Sequence, residues 1–197
     1  DLLWRIPWHC WDFFERYPKA EVALSGPNSD RTVKVAARNR LRILAILGDS
    51  QGIDVNADKQ IITSLPDAEI VTLEQPSRAE CDRYLGDEKG WDILFFSGHS
   101  YSKPDSSTGV IQINENDWLT IEELKDVLSR AIARNLHLAI FNSCDGLGLA
   151  RQLADLHLPQ TIVMREPLAD RAAQKFLKDF LSYYSSGKSL YVSVREA

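Results

Sequence analysis

From residue 41 onward, short β-type apolar runs alternate with segments of helical periodicity, and that alternation leaves few folds open. Residues 41–47 (LRILAIL) read as the first strand, 69–73 as the second, 92–97 as the third, 136–142 as the fourth and 161–164 as the fifth. Helical segments lie between them, near 57–65, from Ser77 to about Leu85, from Thr120 onward and over 146–156. Ser77 with Glu80, and Thr120 with Glu123, have the spacing of capping boxes. Ile121, Leu124, Leu128, Ala131 and Ile132 then recur at helical spacing. Leu168, Ala172, Phe176 and Phe180 mark one face of a later helix, which Gly187 ends before another begins. Strands joined by helical crossovers form a mainly parallel sheet with helices on both faces. The expected fold is therefore α/β, a three-layer sandwich. Right-handed crossovers bring every strand C-terminus to one edge, where sites form.

Two stretches depart from the rhythm. Residues 101–109 (YSKPDSSTG) read as a polar loop, and 110–119 as a small hairpin turning at Asn114 to Asp117. Residues 1–40 read as an N-terminal arm that completes or covers the sheet. Trp4, Trp8 and Trp11 crowd its start, and 21–25 are a candidate edge strand. The whole of 1–197 is expected to be one domain, with 41–197 as its core. A start without Met and a helical pattern running to Ala197 are read as a piece cut from a longer protein.

Charge and cysteine usage narrow the function. A net charge of −5 without a Lys/Arg block gives no surface for nucleic acid. No run reaches transmembrane length, so no membrane contact is expected from this segment. Cys10, Cys81 and Cys144 are odd in number and widely spaced, which predicts neither a disulfide framework nor a zinc site and points to a reducing cytoplasm. No metal and no cofactor are expected.

The third and fourth strands each stop at a small-residue turn that presents one reactive group: His99 within Phe95-Phe96-Ser97-Gly98-His99-Ser100, and Cys144 within Phe141-Asn142-Ser143-Cys144-Asp145-Gly146. They lie 144 − 99 = 45 residues apart, about one strand–helix–strand crossover. Adjacent strands are ~4.8 Å apart, so such turns can bring a base to a nucleophile. Cys144 also precedes a helix N-terminus, whose free N–H groups attract a negative sulfur and can hold an oxyanion. This is the chemistry of acyl transfer by a cysteine hydrolase. Cys81 sits between Glu80 and Asp82 and reads as inert. His137 reads as a core histidine and His157 as a helix C-terminal residue.

These turns resemble those of the caspase-type cysteine peptidases, and the order of motifs resembles the CHAT family, the bacterial caspase-like domain often found beside helical repeats. Ile6-Pro7-Trp8 resembles that family's proline–tryptophan element, and Trp91 to Phe96 its strand before the histidine. Pro167 to Phe180, Gly187-Lys188-Ser189-Leu190 and Val194-Arg195-Glu196-Ala197 resemble its C-terminal signature. The resemblance implies a caspase-like sandwich and a cysteine endopeptidase acting on a partner protein or peptide within a larger signalling protein. It implies His99 as general base, Cys144 as nucleophile, and the amides of Ser100 and Cys144 as oxyanion donors. Relatives that cut after basic residues often carry Asp where Asn142 stands. Asp49, Asn142 and Asp145 are the specificity-pocket candidates. A non-catalytic caspase-like signalling scaffold is the alternative. A remoter one is a Gly-Asp-Ser esterase, with Ser50 as nucleophile; that class needs Asp-x-x-His downstream, and this chain offers only Asp155-Leu156-His157, one residue short.

Overall fold

The structure is a computed structural model that describes residue 6 and residues 8–20, 40–103, 107–164 and 169–197. The expected strand at 21–25 and helix-face residue Leu168 lie outside the described residues. Among the described residues, five strands form the main sheet: β1 (Leu41–Leu47), β2 (Ala68–Glu74), β3 (Ile93–Ser97), β7 (Leu138–Asn142) and β8 (Gln160–Val163), in the order β2-β1-β3-β7-β8. All four pairings are parallel. In β1, β3 and β7 nearly every residue is buried, because helices cover both faces.

The alternation of side chains along each strand builds two cores. On one face, Leu44, Ile46, Leu94, Phe96, Ala139 and Phe141 pack with Leu85 of α3 (Arg78–Leu85), Leu128 of α4 (Lys125–Ala133) and Leu153 of α5 (Leu147–Asp155). On the other, Ile43, Ala45, Phe95, Leu138 and Ile140 pack with Ile62 of α2 (Val55–Thr63) and with Leu177 and Phe180 of α6 (Asp170–Ser185). Each such side chain contributes roughly 1.5–3 kcal/mol by leaving water. The three layers are those the sequence pattern predicts.

Local signals hold to different degrees. The Ser77–Glu80 capping box opens α3 with both reciprocal bonds. Thr120 and Glu123 make the same bonds, but α4 starts only at Lys125, after an intervening turn. The face of α6 is shifted: Ala172 is exposed, and Ala173, Leu177, Phe180 and Leu181 are buried. The expected loop at 101–109 is partly strand. Ser100–Ser102 forms β4, which pairs with β5 (Gly109–Gln112), which in turn pairs with β6 (Trp118–Thr120). Periodicity misses β4 because its inward residues are Ser100 and Ser102, buried through hydrogen bonds rather than apolar area. Of the arm, a 3-10 turn (Trp8–Cys10) and α1 (Asp12–Arg16) are described, with the Trp8 and Trp11 rings 4.4 Å apart. The Lys19 carbonyl accepts from Arg195 of α7 (Leu190–Glu196) at 3.3 Å. Among the described residues no helix is long and apolar enough to cross a membrane.

Candidate active site

Leu47 of β1 pairs with Ser97 of β3, and Ser97 pairs with Asn142 of β7. Three neighbouring strands therefore end level at one sheet edge. Asp49, His99 and Cys144 each stand two positions beyond that line. Glycines let the first two turns close. Gly98 has φ +152°, and a Cβ there would meet Gly48 Cα at 3.2 Å and the Phe96 ring at 3.0 Å. A Cβ on Gly48 would lie 2.1 Å from the Gln112 carbonyl oxygen. Backbone bonds fasten the corner: Gly48 N–H donates to the Ser97 carbonyl at 2.8 Å, and Gln112 N–H to the His99 carbonyl at 2.9 Å.

The His99 ring is aimed by its surroundings. Its Nε2 lies 2.9 Å from the Gln51 carbonyl oxygen and 3.9 Å from Asp49 Oδ2. A carbonyl only accepts, so in the neutral ring Nε2 carries the proton and Nδ1 holds the lone pair. Asp49 is buried beside the imidazole and is not among the residues lining the pocket described below.

Ser100 joins the histidine turn to the cysteine turn. Its hydroxyl lies 2.7 Å from Ser143 Oγ and 2.8 Å from the Asp145 carbonyl oxygen, and accepts the Asp145 N–H at 3.2 Å. The residue next to His99 thus grips both neighbours of Cys144. Ser102, on the same face of β4, reaches the Asp145 carbonyl at 3.3 Å and accepts from Gly148 N–H at 2.9 Å. It caps α5, whose own N-cap Gly146 has no side chain to do so. The Asp145 carboxylate accepts the Leu147 N–H at 3.4 Å and is not among the pocket-lining residues.

An open pocket is lined by Gly98 and Cys144 of the two turns, by Asp58 of α2 and by Asp170 and Ala173 of α6. Asn142 and Asp58 line it. Asp58 is buried on α2, and its Oδ2 accepts from Ser97 Oγ at 2.6 Å and from Asn142 Nδ2 at 2.8 Å. Its other oxygen, Oδ1, is buried with no hydrogen-bond partner among the described residues. Loss of water pushes the Asp58 carboxyl above the ordinary carboxylate range; the bonds from Ser97 and Asn142 oppose this, and Asp170 and Asp54 add to it.

The remaining thiols separate by burial. Cys81 is buried and its pKa is pushed up to about 12, first by loss of water and then by Asp82 and Glu80. Cys10 is exposed, and Cys144 is partly buried at the pocket. Ser50 follows β1 at the C-terminal edge of the sheet, whereas Asp155 and His157 end α5, which has run back to the N-terminal edge before β8. The topology keeps the parts of a Gly-Asp-Ser esterase apart. His137 is buried, and its Nδ1 lies 2.9 Å from the Asn135 carbonyl oxygen.

A family model described as the CHAT domain matches residues 16–197. The chain belongs to the CHAT family. Among solved structures, this CHAT domain is similar to the Drosophila initiator caspase Dronc, at 7% identity and a TM-score of 0.44, over 84% of this chain and 74% of that one. A search of curated protein sequences gives no match.

Sequence reasoning singles out His99, Cys144, Ser100 and Asn142 and passes over Asp58, Ser97, Gln51 and Ser102, which the structure places in contact with the two turns or the pocket. The available signal for Asp58 was its place in the buried stripe of α2, between Val55 and Ile62. A carboxylate in an apolar stripe needs partners there. Gln51 acts through its backbone carbonyl, for which side-chain patterns have no mark.

Proposed function

We propose that this CHAT domain is a cysteine endopeptidase that cleaves a peptide bond in a protein or peptide substrate, with Cys144 as nucleophile and His99 as base. The observation that carries this reading is the Ser100 clasp. The residue beside His99 binds Ser143 and Asp145 on either side of Cys144, at the edge where their strands are paired neighbours.

The steps follow from these groups. With Nε2–H donated to the Gln51 carbonyl, Nδ1 accepts the thiol proton as Cys144 Sγ attacks the scissile carbonyl carbon. Negative charge then gathers on the carbonyl oxygen. Gln112 N–H donates to the His99 carbonyl, which makes Ser100 and Ile111 a non-hydrogen-bonded pair and turns the Ser100 amide away from β5. The Cys144 amide has no acceptor among the described residues. Both amides are thus free to hold the oxyanion. The imidazolium passes its proton to the leaving amine as the C–N bond breaks. Water, deprotonated by His99, then hydrolyses the thioester and frees Cys144. A cytoplasmic signalling role, with the peptidase activity under regulation, is part of the same proposal.

The test is hydrolysis of a peptide library by the full-length protein, together with labelling by peptidyl acyloxymethyl ketones. The reading expects cleavage and one adduct at Cys144, with both abolished by Cys144→Ala. No cleavage and no Cys144 adduct, with the protein folded, would support the non-catalytic scaffold instead.

A further inference from the structure

We propose that the pocket between α2 and α6 receives a cationic side chain, arginine or lysine, from the substrate residue on the N-terminal side of the scissile bond, with Asp58 as its counter-ion. The inference rests on the peptidase reading for the word substrate; the pocket's preference for a cation stands on the groups that line it.

Position comes first. Cys144, Asn142 and Asp58 all line the pocket, and Asp58 is the most buried of the three. When a carbonyl carbon sits at Cys144 Sγ, the side chain adjoining that carbonyl is the one able to enter. Charge comes second. Among the described lining residues, Asp54, Asp58 and Asp170 are acidic, and none is basic. Asp58 is only 2% exposed, so its charge is poorly hydrated and strongly felt by a group that enters.

The Asp58 carboxylate also has an unused acceptor. Ser97 and Asn142 both donate to Oδ2 and fix the carboxylate's rotation, while Oδ1 has no donor. A buried acceptor without a partner is rare and costly, and it calls for a donor that the described residues do not supply. A guanidinium or ammonium supplies both the missing donor and the missing positive charge. Asp58 and Asn142 together occupy the role expected of a specificity pocket, while Asp49 and Asp145 make their bonds outside it.

Two measurements separate this inference from the peptidase reading. The full-length protein and its Asp58→Asn variant are assayed on fluorogenic tetrapeptides that differ only in the residue before the reporter. The preference expected is arginine or lysine over leucine and glutamate by about 10- to 100-fold in kcat/KM, falling by a similar factor in Asp58→Asn. Separately, benzamidine and its neutral analogue benzamide are titrated against the Cys144→Ala protein by NMR, which needs no turnover. Benzamidine is expected to bind on the order of 1 mM and benzamide not to bind. Benzamidine binding without any hydrolysis would leave the cation pocket standing and refute the peptidase. Hydrolysis with no basic preference, or a basic preference unchanged in a folded Asp58→Asn protein, would overturn the pocket and leave the peptidase. Neither basic preference nor selective benzamidine binding overturns it as well.

Discussion

Replacing Ser100 with alanine removes the hydroxyl that clasps the two halves of the site. In the wild type that oxygen accepts the Asp145 N–H and meets both Ser143 Oγ and the Asp145 carbonyl. Ser100 is buried, so water does not replace it freely. The net value of the donated bond is about 1 kcal/mol, and leaving the Asp145 N–H unpaired costs about 1–2 kcal/mol more. The expected destabilisation is about 2–3 kcal/mol, which for a domain of this size lowers Tm by about 4–12 °C. Urea unfolding and a thermal scan measure it. Ser102 shares the Asp145 carbonyl, at 3.3 Å, so the Ser100→Ala and Ser102→Ala effects should not add. A double-mutant cycle should give a coupling of about 0.5 kcal/mol or more. A loss under about 0.5 kcal/mol for Ser100→Ala, with an unaltered rate of Cys144 alkylation, would refute the clasp as the device that holds the turns together.

Asp58 should act against stability where it serves the pocket. Its carboxyl binds a proton more tightly in the folded domain than in the unfolded chain, so its favourable contribution is complete at low pH and is lost as pH rises past the ordinary carboxylate range. Asn in its place keeps the Oδ2 acceptor for Ser97 and Asn142 and removes the charge. Asp58→Asn is therefore expected to raise Tm at pH 7–8, with the difference shrinking towards pH 4; a variant destabilised at pH 7 contradicts the account. Cys81, with its thiol pushed up to about 12, should resist iodoacetamide at pH 8 until the chain is unfolded. Rapid labelling of Cys81 in the native protein would show that the core around α3 opens. Gly48→Ala should destabilise by about 1–3 kcal/mol in urea melts, since its Cβ would strike the Gln112 carbonyl, a backbone atom; wild-type stability would mean that the β5 corner is not rigid.

The layers and the sheet edge were legible because they rest on period. Apolar runs in β1, β3 and β7 mark strands buried on both faces, and a crossover between two such strands makes their ends neighbours. The places of His99 and Cys144 at neighbouring strand ends follow from that; their proposed roles come from the resemblance to caspase-type peptidases. What period does not carry is polar contact between distant segments. Ser97 and Asn142 are joined through Asp58, 39 and 84 residues away from it along the chain, and no local spacing marks such a cluster. Ser100 and Ser102 read as polar loop residues, yet they face inward as a strand pair that serves the α5 terminus. Asp49 was read towards the pocket because it shares the sheet edge; which way a turn residue leans depends on Gly48, Gln51 and Gln112 together.

The most direct test of the central claim is the rate at which an acyloxymethyl ketone modifies each thiol, followed by mass spectrometry in a Cys10→Ser background that removes the exposed competitor. If the imidazole serves the sulfur, Cys144 reacts first, and His99→Ala slows it by about 10²-fold or more while the fold persists. Equal rates with and without His99, or a Cys144 no faster than a free thiol of the same exposure, would mean that the two turns meet without working together.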